Sequence, residues 1–109
     1  MPPSRELIQG TLDLLVLASL RAGPMHGWGI AQRMRERSAS VVMVTTGALY
    51  PSLHRLERQQ LVRAEWRASE NNRRAKYYEL TAEGRRALRE ELAWWERFVA
   101  GVAGIVATA

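Results

Sequence analysis

Leu49, Leu53, Leu56 and Gln60 fall at i, i+4, i+7 and i+11, a spacing that places them on one face of a helix. Three of the four are apolar, so this stripe is expected to pack inward. With about 100° between successive residues, the opposite face carries Gly47, Pro51, His54, Arg55 and Arg58, with Tyr50 on its flank. Thr45 and Thr46 precede the run and offer hydroxyl caps. Pro51 lacks an N–H and crowds the carbonyl four residues back. The helix is therefore expected to start at Gly47 or later, or to bend at the proline.

Upstream, Leu12, Leu14, Leu15, Val16, Leu17 and Leu20 are apolar almost all round, the pattern of a helix buried on most sides. Thr11 with Asp13 resembles a cap and a first-turn acid, which leaves residues 1–9 as a short arm. Gly23-Pro24 ends that helix and Met25-His26-Gly27 forms a turn. A second helix opens at Trp28, with Ile30 and Met34 inward and Arg33, Arg35 and Arg37 mostly toward solvent. It gives out near Ser38-Ala39-Ser40. Val41 to Val44 reads as a linker or a one-bridge strand.

Downstream, Leu61 to Trp66 and Ala75 to Leu80 both alternate, as half-buried strands do, around a polar loop from Arg67 to Arg74. Thr81 and Glu83 start a last helix as cap and first-turn acid. Along it, Leu88, Leu92, Trp95, Val99, Val102 and Val106 follow at spacings of four, three, four, three and four, an a/d heptad seam. From Ala82 to Ala107 such a helix spans roughly 39 Å at 1.5 Å per residue. A unit of this size does not cover that seam by itself, so a partner helix is expected. Gly101 and Gly104 invite fraying there or allow close helix approach. The element order predicts a mainly α fold with a small β-hairpin. It is a winged helix-turn-helix over residues 1–80, with a C-terminal dimerisation helix over 81–109.

Charge sharpens this picture. Sixteen basic residues face eleven acidic ones, for a formal net charge of +5, and fifteen of the sixteen are Arg. Arginine is the better fork for phosphate oxygens and guanine edges. The hairpin loop gathers Arg67, Arg73, Arg74 and Lys76 around one acid, Glu70. Contacts to double-stranded DNA are accordingly expected from Thr45, Thr46, Gly47, Tyr50, Pro51, His54 and Arg55 on the third helix, and from Arg73, Arg74 and Lys76 on the hairpin.

Other chemistries find little support. The chain has no Cys, which excludes disulfides and thiolate metal sites. His26 and His54 lie in different elements, and a backbone hydrogen bond is the expected role of His26. No glycine-rich phosphate loop follows a strand. An enzyme, a metal site and a bound cofactor are not expected. The first residues lack the charged-then-apolar order of a signal peptide, and Leu14 to Ala18 is too short to span a bilayer. A cytoplasmic protein without membrane contact is expected. Trp94, Trp95 and Phe98 are weaker candidates for a ligand site, because aromatics so spaced are more often core or interface. Two alternative readings are a protein-interaction winged helix and a small-molecule-binding dimer with secondary DNA contact.

Four segments together resemble the PadR family of bacterial transcriptional regulators, its short form in particular. They are Gly10-Thr11-Leu12-Asp13-Leu14-Leu15, Gly23-Pro24-Met25-His26-Gly27-Trp28-Gly29-Ile30, Gly47-Ala48-Leu49-Tyr50-Pro51-Ser52-Leu53-His54-Arg55-Leu56-Glu57, and Asn72-Arg73-Arg74-Ala75-Lys76-Tyr77-Tyr78-Glu79-Leu80-Thr81. The resemblance runs from about Leu7 to Phe98. Position 28 is Trp where the family usually has Tyr. The resemblance implies a homodimer built on the last helix, an operator with two half-sites, and usually repression, in many members relieved by a small aromatic effector.

Overall fold

The computed structural model describes residues 5–108, with side chains described from residue 10 to residue 107. The chain runs α1 (Arg5–Leu20), β1 (Met25–His26), α2 (Gly27–Arg37), α3 (Thr46–Arg58), β2 (Val62–Ala68), β3 (Arg74–Leu80) and α4 (Ala82–Thr108). This is a mainly α winged helix-turn-helix with a long C-terminal helix, as the periodicity predicts.

Helix α1 departs from expectation at its start. It begins at Arg5, so residues 5–9 are helical rather than an arm, and residues 1–4 lie outside the described residues. Thr11 and Asp13 are interior helical residues, not a cap and its acid. Asp13 is taken up by a partner on α3, as described below. Leu14, Val16, Leu17 and Leu20 are buried and form the centre of the core.

His26 caps α2. Its Nδ1 accepts a hydrogen bond from the Gly29 N–H at 3.0 Å. The cap residue is extended (φ −78°, ψ 166°), which lets Met25 and His26 pair with Tyr78 and Tyr77 of β3. The expected turn is therefore a two-residue strand at the edge of a sheet ordered β1-β3-β2. On α2, Ile30 and Met34 are buried as the spacing predicts. Arg33 departs from expectation. Its Nη1 donates to the carbonyls of Ser19 and Gly23, both at 2.9 Å, and so satisfies groups left over where α1 ends. Burial and the neighbouring Arg37 together hold its guanidinium pKa below the usual value. Val41 to Val44 forms no strand; Val42 and Val44 pack against the core from a loop.

In the hairpin, Val62 pairs with Leu80 and Ala68 with Arg74, an unbroken antiparallel register. Tyr78 is almost fully buried, and its phenol pKa is raised, first by burial and then by Glu57 and Tyr50. Thr81 closes the sheet and opens α4: its Oγ1 accepts from the Gly84 N–H at 2.9 Å and donates to the Gln60 carbonyl at 2.7 Å.

The heptad seam divides in two. Leu88 is buried in the chain's own core, and Leu92 and Trp95 pack against that core. The helix packs on α1. Past Trp95, α4 carries exposed apolar side chains and lengthens the molecule, whose extents are 54 × 28 × 23 Å. Val99, Val102 and Val106 are 45, 42 and 67% exposed, and Ile105 is 71% exposed. Among the described residues, nothing lies within 4 Å of a Cβ placed on Gly101 or Gly104.

Candidate nucleic-acid interface

Thr45 caps α3 in extended geometry, its Oγ1 accepting from the Ala48 N–H at 3.3 Å. The helix starts one residue earlier than expected, and Pro51 is accommodated inside it. The missing proline N–H would have bonded the carbonyl of Gly47, an exposed residue in the first turn, where water can stand in for the lost donor. Leu49, Ser52, Leu53 and Leu56 are buried and lock the helix on the core; the fourth residue of the expected stripe, Gln60, lies past the helix end, exposed and at φ 62°.

The outer surface of α3 presents Thr46, Gly47, Tyr50, Pro51, His54 and Arg58 to solvent, beside its exposed cap Thr45. Tyr50 is 38% exposed. Its ring lies over Gly27, where an added Cβ would sit 2.5 Å from the phenol oxygen, so the start of α2 can hold the ring only while residue 27 has no side chain. The Tyr50 and His54 rings are tilted neighbours with centroids 6.5 Å apart.

Arg55 does not join this surface. It turns toward α1, where its Nε and Nη2 donate to the two oxygens of Asp13 at 3.0 and 2.6 Å. The side chain is 28% exposed, and the Asp13 hydrogen bond raises its pKa. The helical wheel had set it on the outer face.

Two of the three wing cations are likewise engaged. Register pairs Trp66 with Lys76 and Ala68 with Arg74, which puts these side chains on one face of the hairpin. Arg74 lies over the Trp66 ring at 5.9 Å. Lys76 is 3.5 Å from Glu57 of α3 and 5.7 Å from the Tyr78 ring. Arg73, in the turn between the strands, is exposed. Arg67 projects to the other face, over Tyr77 at 4.8 Å, and is not part of the same group.

An open cleft of about 550 Å³ brings these parts together. Tyr50 and His54 of α3 form one wall and Arg73, Arg74 and Lys76 the other, with His26, Gly27, Trp28 and Trp66 between them. Among the described residues, its lining has three cations and no acid. Trp28 and Trp66, 68 and 57% exposed, were not singled out from sequence. The signal for Trp66 was present: alternation sets it on the same face as buried Val62, but at the end of the hairpin that outruns the core.

Residues 16–90 match the transcriptional regulator PadR-like family. The chain belongs to that family. It is 36% identical to a PadR family transcriptional regulator from Eggerthella lenta, over 95% of this chain and 88% of that one, with a TM-score of 0.78. A PadR family regulator from Clostridium difficile is 31% identical over 88% of this chain and 97% of its own, with a TM-score of 0.73. A transcriptional regulator from Clostridium thermocellum shares the fold (TM-score 0.82, 24% identity, 96% of this chain and 99% of that one).

As a PadR-like protein the chain is a DNA-binding transcriptional regulator and not an enzyme. None of the helices among the described residues is long and apolar enough to cross a membrane. The weaker ligand candidates of this PadR-like chain lie near the middle of α4. Trp94 is 43% exposed and stacks on Phe98 with centroids 5.0 Å apart, and Trp95 tilts against Phe98 at 5.9 Å while its other side meets the core.

Proposed function

We propose that this PadR-like regulator is a cytoplasmic homodimeric repressor that reads an operator of two half-sites. In each half, the N-terminal part of α3 would enter the major groove with Thr45, Thr46, Gly47, Tyr50, Pro51 and His54 toward base edges or phosphates. The wing would grip the flanking backbone through Arg73 and Arg74, with Lys76 contributing where Glu57 leaves it charge to share. The observation that carries this reading is the acid-free cleft between α3 and the wing. Helix-turn-helix proteins approach bases with the first turns of the reading helix and position themselves through phosphates. The positive end of α3 adds to the attraction, and Gly47 leaves the backbone accessible to a phosphate.

Dimerisation through α4 is supported by the exposed apolar side chains from Val99 to Val106, a patch that a monomer would leave in water. Of the expected interface, Val99, Val102 and Val106 remain available. Leu92 and Trp95 are shared with the core, and Leu88 is used up by it. The stacked, accessible Trp94–Phe98 pair supports the second expectation, a planar aromatic effector bound beside the dimer axis, whose arrival would release the operator.

Selection of bound sites from a pool of random duplexes tests the reading directly. Expected are two inverted half-sites about one helical turn apart, centre to centre. Selected sequences with no common element would refute it. For the effector, planar aromatic compounds should quench tryptophan fluorescence and lower operator affinity together; quenching without release would leave the ligand idle.

A further inference from the structure

Asp13, an interior residue of α1, accepts three hydrogen bonds from α3: Ser52 Oγ at 2.6 Å and Arg55 Nη2 at 2.6 Å on Oδ1, and Arg55 Nε at 3.0 Å on Oδ2. Ser52 is fully buried, while Asp13 and Arg55 keep 20 and 28% of their side chains exposed. The edge of the guanidinium that faces Asp13 is the fork that elsewhere grips a phosphate or a guanine. Arg55 lies one residue beyond His54, which with Tyr50 lines the cleft. Because it is not sealed in, a guanidinium released from Asp13 would turn its long stem toward water rather than stay buried and unpaired. A cation freed beside the reading surface has phosphates as its ready partners, and phosphate contacts are blind to sequence.

We propose that Asp13 is a specificity-determining positioning residue: it holds Arg55 off the DNA, so that this arginine fixes the reading helix on α1 instead of adding a sequence-independent phosphate contact. The inference rests on the DNA-binding surface proposed above. It assigns to Asp13, distant from that surface in sequence, control over how many cations the surface offers.

The test is the salt dependence of binding to a labelled duplex of random sequence, with the intact chain. Asp13→Asn should steepen the plot of log K against log salt by about 0.9 per protomer engaged. It should also lower the ratio of selected-site to random-site affinity. Asp13→Asn with Arg55→Met should return the slope to that of the unchanged protein. Glu91→Gln, on the exposed side of α4, removes the same charge elsewhere and should leave the slope alone. A merely structural contact would lower the melting temperature in Asp13→Asn without steepening the slope, and that result overturns the proposal. Arg55→Met alone decides the matter if Asp13→Asn does not fold: an unchanged slope supports the proposal, and a slope flattened by about 0.9 overturns it, because Arg55 would then already be touching phosphate. Binding by the unchanged protein that ignores salt would refute the DNA surface itself, and this inference with it. A normal slope in the unchanged protein with no effect of Asp13→Asn refutes this inference alone.

Discussion

At the scale of single residues, Tyr50 carries two tasks on one ring. Its phenol end, ring edge and hydroxyl together, lies against Gly27, and the side chain also lines the cleft. Tyr50→Phe separates them. The ring contact survives, so the melting temperature should hold, while operator affinity should fall by about 1 kcal/mol if the hydroxyl bonds a phosphate or base. Equal affinities for both proteins would assign Tyr50 to packing alone. Gly27→Ala makes the complementary change by forcing the ring to move, and should lower affinity and melting temperature together. The sequence revealed Tyr50 and His54 as surface residues because helical phase suffices for that. It misplaced Arg55 and Arg33 because a long side chain at the border of a helix face can turn either way. Only the position of Asp13, or of the carbonyls of Ser19 and Gly23, decides which way it goes. The backbone hydrogen bond of His26 was legible because it is local, the acceptor and donor being three residues apart; that it caps α2 was not.

At the scale of elements, those with their own periodicity were readable. The leucine stripe identified α3, the alternation of Leu61 to Trp66 and Ala75 to Leu80 identified the hairpin, and the apolar run identified α1. Strand β1 was not readable, because two residues carry no alternation and become a strand only by meeting Tyr77 and Tyr78 of β3. The start of α1 was misjudged for a related reason: Thr11 and Asp13 have the chemistry of a cap, but Asp13 answers to α3. The wing makes a sharper prediction. Exposed Arg73 and ring-supported Arg74 should each account for about 0.9 in the salt slope, so replacing both by Ala should flatten it by nearly two. The loss should be similar on selected and random duplexes. An unchanged slope would mean the hairpin stays clear of the backbone. The α3 cap is testable apart from DNA: Thr45→Ala should cost about 1 kcal/mol of stability by leaving the first-turn N–H groups less well satisfied, measured by urea denaturation.

At the scale of the whole molecule, the seam on α4 was readable as a pattern but not as a division of labour. A heptad continues unbroken whether α1 or another chain covers it, so Leu88 looked like interface and is core. The dimer test belongs past that point. Val99→Glu with Val102→Glu should give monomers by sedimentation with the folded unit intact, since neither side chain supports the core. A dimer that persists would refute association through this part of α4. Among the described residues, nothing lies within 4 Å of a Cβ built on Gly101 or Gly104. Within one chain, alanine at both sites should favour the helix, by somewhat under 1 kcal/mol each. Where a second helix presses on those bare backbones, the same two methyl groups push it away. Gly101→Ala with Gly104→Ala would then make melting less dependent on protein concentration while raising the helix content of the dilute protein, a trade between solitary order and company.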